Sequence, residues 1–145
     1  MGQSIGTRTE VLGTLTCLGP VHVGGWENTA DASLAVVRDG TGRPCLPGTS
    51  IAGALRAYLG GLGRFGGDQP TDLMNALFGH IIPGSQGGTP SWIRIDDAHL
   101  IGDDPTLVVR DGVGIDRVSA SAAANFLYTR QLLPAGTRGA LRLGA

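Results

Sequence analysis

The chain contains no lysine: its eleven basic residues are all arginine, set against twelve Asp and Glu, for a formal charge of −1 over 145 residues. That balance excludes a large, uniformly basic footprint, so any polyanion has to lie in a local groove. Arginine is also the side chain suited to bidentate phosphate contact, which leaves RNA open as a partner; arginine-favouring codon usage is the competing explanation. Cysteine is scarce. Cys17 and Cys45 stand alone without C-x-x-C spacing, which excludes a disulfide framework and makes a reducing cytoplasm the expected compartment. No apolar run approaches the roughly 18 residues of a membrane span. The opening "MGQSIGTRTEVLG" lacks the basic-then-apolar pattern of a signal sequence, and Gly6 stands where a myristoylation pattern wants Ser or Thr. Walker loops, dinucleotide fingerprints and a Ser-His-Asp order are missing, and "GVGIDR" lacks the third glycine and following helix of a cofactor loop. His80 and His99 form no metal-ligand spacing with each other or with the cysteines, which argues against zinc.

What is present is enough for one core. With 41% apolar residues, the chain is expected to be a single globular domain over residues 1–145. The chain has 25 glycines and 8 prolines, with clusters such as "GGLGRFGGDQP" and "PGSQGGTP", which read as mobile loops. "TEVLGTLTCLG" alternates imperfectly and predicts a half-buried strand; "PVHVGGWEN" follows as a loop with the glycine pair Gly24–Gly25. "ASLAVVRDGTGRPCLP" predicts a hairpin about Asp39–Gly42.

"TSIAGALRAYLGGL" places Ile51, Leu55, Tyr58, Leu59 and Leu62 at helical spacing. Pro47 fixes φ ahead of it, Thr49 or Ser50 is positioned to cap it, and the free N–H groups of a helix start favour an anion. On its other face Gly53, Arg56 and Gly60 leave a stripe of missing side chains with one cation. Glycine inside a helix costs about 1 kcal/mol relative to alanine, which close approach of a ligand or of another backbone would explain. "TDLMNALFGH" predicts a second helix capped by Thr71 or Asp72 and stopped at Gly79. "SWIRIDDAHLI" predicts a strand with Trp92 in the core, and Asp96/Asp97 and Asp103/Asp104 read as solvated carboxylates, since neighbours in a strand face opposite ways. "TLVVRDGVGIDRVSAS" repeats the extended-turn-extended pattern of "VVRDGTG", and "FLYTRQLLPAGTRGALRLGA" closes with one or two strands. The resulting α+β order fits a ferredoxin-like or RNA-recognition-type sheet better than a Rossmann sheet.

The loop "HVGG" (22–25), "VVRDGTGRPCLPGTSIAGALR", "LFG", "IRIDDAHL" and "RDGVGIDRVSASAAANFLYTRQLLPAGT", in that order over residues 9 to 138, resemble the RAMP superfamily of CRISPR proteins. Within it the likeness is to the repeated backbone subunit of type III effector complexes. The resemblance implies a ferredoxin-like core with a hairpin thumb insertion, copies of which line up with other effector subunits along a CRISPR guide RNA, the thumb pushing between bases. It also implies, in several members, an aspartate that cuts target RNA with a divalent metal, Mg2+ or Mn2+. RNA contacts carried over are His22, Gly24, Gly25, Thr49, Ser50, Gly53, Arg56 and Arg117; for His22 the alternative is a ring on solvent or on a carbonyl, and for Arg117, expected at the thumb base, a pair with Asp116. Trp26 is placed to stack on a base.

The chain departs from the family pattern in two respects. The usual cutting aspartate lies six residues before the acid of the "RD" turn, where this chain has Ser33; Asp31 lies eight before Asp39, an even offset that shifts it about 7 Å along an extended chain. Asp31 is therefore the candidate catalytic residue, Glu27 the other carboxylate nearby, and a purely structural subunit the alternative. The family's usual last helix and strand are also absent after "LPAGTRGALRLGA", as expected of a fragment, a truncated subunit, or one completed by a neighbouring polypeptide. A small-ligand-binding α+β domain is the remote alternative; the open glycine-rich loops do not suggest the enclosed pocket it needs.

Overall fold

A computed structural model describes residues 7–25, 32–61, 72–82, 84 and 87–145, with 72 and 123–126 described by backbone alone. In chain order the elements are β1 (Glu10–Thr16), β2 (Cys45–Leu46), α1 (Gly48–Gly61), α2 (Asp72–Phe78), β3 (His80–Ile81), β4 (Gly88–Thr89), β5 (Arg94–Ile95), β6 (Ala98–His99), β7 (Val108–Asp116), β8 (Ser121–Leu132) and β9 (Arg138–Gly144). Helices and antiparallel strands are mixed, as expected. None of the described helices is long and apolar enough to cross a membrane. The chain divides into two compact units: Met1–Gly13, Pro47–Ala98 and Leu141–Ala145 form the first, Thr14–Leu46 and His99–Ala140 the second.

The first unit is organised around a glycine. Gly48 opens α1 fully buried, and a Cβ there would run into the Ile95 carbonyl, so the helix start lies directly on the β5 backbone, which only glycine permits. The Gly48 N–H donates to Asp97 Oδ1 at 2.8 Å. The Pro47 carbonyl accepts from the N–H groups of Ser50 and Ile51 at 3.0 and 3.1 Å. The expected cap by Thr49 or Ser50 is thus corrected: the helix begins before them, their exposed side chains lie in its first turn, and a distant carboxylate takes an orphan N–H. Asp96 and Asp97 are likewise not simply solvated. Asp96 pairs with Arg94 and faces Arg142, while Asp97 caps α1, and the predicted continuous strand breaks between β5 and β6 at this pair of acids.

Helix α2 ends at Gly79, whose φ of +73 supplies the left-handed stop that glycine tolerates. Its last carbonyls are satisfied by the chain itself: Trp92 N–H reaches Ala76 O at 3.0 Å and Ile93 N–H reaches Leu77 O at 3.2 Å. Trp92 acts there through its backbone, and its side chain is 63% exposed rather than in the core. Part of the second glycine-rich cluster also proves ordered, because Gly88–Thr89 pairs antiparallel with His80–Ile81. Residues 62–71, with the rest of the first cluster, Leu62 and Thr71, lie outside the described residues. The helical spacing predicted for α1 holds, but Tyr58 on that stripe is 66% exposed.

Strands β1, β9 and β5 form one sheet in that order, with β5 antiparallel to β9 in the register Ile95↔Leu143. Thr9 and Ala145 exchange both backbone hydrogen bonds. β1 was expected to be half-buried; it is exposed apart from a half-buried Leu15, because ladder bonds to β9, not burial, secure it. Most of the described core lies in the second unit: Cys17, Ala32, Ala35, Val36, Cys45, Leu46, Leu100, Leu132 and Leu133 are all buried. We expect Gly48→Ala to cost about 3 kcal/mol, since the new methyl has to displace main chain rather than a flexible side chain; urea unfolding at neutral pH measures this, and a loss under about 0.5 kcal/mol, the range of a neutral surface change, would contradict the packing.

Candidate nucleic-acid interface

In the second unit the base of β8 is bonded on two sides. Even-numbered residues face β7 in a ladder that includes Val108↔Leu132, Arg110↔Arg130 and Gly112↔Tyr128. The main-chain groups of the odd-numbered residues turn the other way. Thr129 O accepts from Leu34 N–H and Gln131 N–H donates to Leu34 O, each at 2.9 Å, while Leu133 and Val21 exchange both bonds. One position in this second ladder is filled by a side chain: His22 Nδ1 lies 2.8 Å from the Gln131 carbonyl. A carbonyl oxygen can only accept, so Nδ1 carries the hydrogen of this bond.

The "HVGG" loop and the strand-like segment 34–38 meet there. Gly24 bridges Val36, Gly25 N–H donates to Ala35 O and Val37 N–H to Val23 O. A Cβ on Gly25 would lie 3.2 Å from Val36 O and Val37 Cα, and one on Gly24 3.3 Å from His22 Nε2. Both glycines therefore allow close packing of the loop. Ser33, at the family's aspartate offset, has a different use. Its Oγ donates to Thr129 O and accepts from Thr129 N–H, each at 3.0 Å, and Ser33 N–H donates to Thr129 Oγ1 at 3.0 Å. Asp31, Glu27 and Trp26 lie outside the described residues.

The "RDG" turn at Asp39 forms as predicted, with Gly42 at φ +85 and Asp39 N–H bonded to Arg43 O at 2.8 Å. The Asp39 carboxylate accepts from Thr41 Oγ1 at 2.6 Å, Thr41 N–H at 2.8 Å and Arg43 N–H at 3.1 Å, and His99 Nδ1 stands 3.2 Å away. Led by the Thr41 hydroxyl, these bonds hold its pKa down at about 2. Arg43 turns from the same turn to Asp104 Oδ1 and Gly102 O, each at 2.8 Å, so Asp104 too is paired rather than merely solvated.

The second "RDG", at 110–112, is not a turn. Asp111 and Gly112 lie inside β7 opposite Thr129 and Tyr128, because the β7–β8 ladder holds this segment extended and Gly112 makes room for the Tyr128 ring. The turn comes later, at residues 117–120, where Ala120 takes a φ of 52 and Asp116 Oδ1 accepts from Val118 and Ser119 N–H at 2.8 and 3.0 Å. Those bonds, that from Ser119 foremost, lower the Asp116 pKa. Arg117 therefore sits exposed at the tip of the arm and not at its base, and Asp116 is engaged with backbone. The arm exposes Ile115 and Leu127, with Val118 at 98% exposure.

A family model described as the RAMP superfamily matches residues 14–143. The chain belongs to the RAMP superfamily. Its fold is similar to a chain in a cryo-EM structure of the Type III-B Cmr-beta bound to cognate target RNA, at 12% identity and a TM-score of 0.70, covering 94% of this chain and 84% of that one. A Type III-B Cmr-beta cryo-EM structure of the apo state is similar at 11% identity and a TM-score of 0.67, again with 94% and 84% covered. None of the curated proteins matches the chain.

In this RAMP chain the remaining predicted contacts fall in the first unit. Gly53 is exposed with open space where a Cβ would stand, so no backbone packs against it among the described residues. Arg56 Nη1 donates to Gly79 O at 2.9 Å and its Nη2 lies 3.4 Å from Asn75 Oδ1. Arg56 thus ties α1 to the end of α2. Sequence reasoning missed the Asp97 cap and the Ser33–Thr129 bonds, which join residues far apart in the chain; for His22 the ring on a carbonyl, given as the alternative, is what forms, with Gln131 as the partner.

We expect two measurable consequences. The Asp39 carboxyl should titrate near 2 in a carbon-detected NMR titration. Its folded pKa is depressed, so its contribution to stability is full above the unfolded value near 3.8 and is lost as pH falls through about 2; Thr41→Ala should raise the midpoint, and an unchanged midpoint would contradict the assignment. Arg56→Ala should cost roughly 1–2 kcal/mol in urea unfolding without any RNA present, the value of a part-buried charged hydrogen bond.

Proposed function

We propose that the chain is a CRISPR RNA-binding backbone subunit of a type III effector complex, with a ferredoxin-like core and with β7–β8 as its thumb. The observation that carries this reading is the likeness over 94% of the chain to a subunit-sized chain of a Type III-B Cmr-beta bound to cognate target RNA. An arm with exposed Ile115, Val118 and Leu127 is chemically suited to enter between bases. The hydroxyls of Thr49 and Ser50, the His22 ring beside Gly24 and Gly25, the open face at Gly53, Arg56 and Arg117 are its RNA contacts. Because Asp97 already takes the Gly48 N–H, contact at the start of α1 falls to the hydroxyls more than to the helix dipole. Such contacts position a sugar-phosphate backbone without reading its sequence. With a net charge of −1, affinity comes from copies and other effector subunits aligned on one guide.

Target-RNA cleavage is part of this reading, with Asp31 as the catalytic carboxylate. Among the described residues no three His, Cys, Asp or Glu side chains come together as a metal site. Magnesium or manganese would be held by Asp31 together with RNA oxygens, and would stabilise charge developing at the phosphate. Asp31 itself can orient the 2′-hydroxyl for in-line attack. A second reading, the same subunit without catalysis, is favoured by Ser33: a hydroxyl occupies the usual aspartate offset and is bonded to Thr129.

In the reconstituted complex with magnesium or manganese, we expect target RNA to be cut at evenly spaced sites and Asp31→Ala to abolish cutting while leaving binding intact. Target RNA left whole by the wild-type complex would establish the structural reading. Cutting that survives Asp31→Ala would move the catalytic role to Glu27.

A further inference from the structure

The arm carries a like-charge pair that its own fold does not require. Arg110 and Arg130 stand directly opposite each other in the β7–β8 ladder, and directly opposed residues of an antiparallel pair project from the same face, where like charges destabilise. Among the described residues the arginine ion pairs join Arg43 to Asp104, Arg94 to Asp96, and Arg142 to Glu10 and Asp96. Neither arm arginine is in them. The adjacent carboxylate, Asp111, is opposite Thr129 and so lies on the other face.

Two residues along on the same face, Tyr128 stands opposite Gly112, and its ring fills the space that a Cβ at Gly112 would occupy. The Arg130 guanidinium carbon lies 4.9 Å from the centre of that ring, and Arg130 Nη2 donates to the Tyr128 hydroxyl at 2.8 Å. Ring and guanidinium are thereby fixed as one stack, half-buried, with Arg110 exposed beside it. Guanidinium planes and aromatic rings are the surfaces on which unpaired bases stack, and an unneutralised arginine pair is a place for phosphate.

The geometry points to a binding platform for single-stranded RNA on this face of the arm: one base stacks on the Arg130–Tyr128 pair, and the neighbouring phosphate sits at Arg110 and relieves its repulsion with Arg130. This rests on the RNA-binding reading above, to which it adds Tyr128, Arg130 and Arg110, and it assigns Gly112 the role of admitting the ring.

The test is fluorescence anisotropy of the full chain with a mixed-sequence single-stranded RNA and with an abasic oligonucleotide of equal length, over a range of salt. Arg110→Gln should lower the salt slope by about one on both probes. Tyr128→Ala should weaken RNA binding roughly tenfold and leave abasic binding nearly unchanged, there being no base to stack. The Arg110→Gln protein should keep its denaturation midpoint, since a repulsion has been removed. Wild-type RNA binding that neither substitution alters, or equal Tyr128→Ala losses on the two probes, would overturn the platform and leave the RNA-binding reading standing. A wild-type chain without affinity for RNA, even at concentrations and RNA lengths that let several copies align on one strand, would overturn both.

Discussion

The second unit depends on the double pairing of β8. A strand has donors and acceptors on both edges, and where both are buried each has to be met. The β7 ladder meets one set; Ser33, Leu34, Val21 and the His22 ring meet the other. This explains why segments so far apart in the chain lie together. The buried Leu132 and Leu133, the latter 1% exposed, sit where the two sets of bonds overlap, and Gln131 Oε1 accepts from Val36 N–H at 3.3 Å to tie the same segment a second time. Because the arm is a continuation of β8, its base shares these bonds, while among the described residues its tip, beyond the register shift between Val113 and Ile115, is held by its own two strands.

The first unit solves a different problem by removing atoms. Gly48 lets α1 start on the backbone of β5, and the Asp97 carboxylate then reaches the N–H that, at the first residue of a helix, has no helical partner. The arrangement is consistent at both levels: the residue that permits the contact also presents the donor that the contact satisfies. It also alters the electrostatics of the helix start, since an anionic side chain already sits where the helix dipole is positive.

Much of this was legible in the sequence because it is local. The spacing of Ile51, Leu55 and Leu59, the Gly79 stop and the Asp39–Gly42 turn are set by neighbours a few residues away, and all appear as read. The second "RDG" was misread for the same reason. Its residues are those of a turn, yet their neighbours across the ladder, Thr129 and Tyr128, are distant in sequence, and long-range pairing overrode local preference. The fate of Asp97 and Ser33, and which carbonyl the His22 ring would meet, were illegible on the same account. Each makes its decisive bond across at least 49 residues. A usable signal existed for the arm face: Tyr128 and Arg130 at a spacing of two share a strand face, and a glycine in a strand often marks where something large lies across it.

The distribution of arginine bears on how a near-neutral chain could hold the nucleic-acid partner proposed for it. Net charge is an average, and a polyanion responds to what remains after neighbours have been neutralised. Arg43, Arg94 and Arg142 are spent on carboxylates, which also raise the pKa of Arg43 and Arg142. Arg38 is bonded to the Gly42 carbonyl and Arg56 to that of Gly79, each within its own unit. Among the described residues Arg8, Arg110, Arg117, Arg130 and Arg138 stand in none of these ion pairs, and of these Arg110 and Arg130 share one face of a strand pair, with an aromatic ring to order one of them. Acidic residues thus do not dilute the basic character of this chain evenly. They take it up beside the Asp39 turn and in the sheet of β1, β9 and β5, and the opposed pair on the arm stands outside those ion pairs.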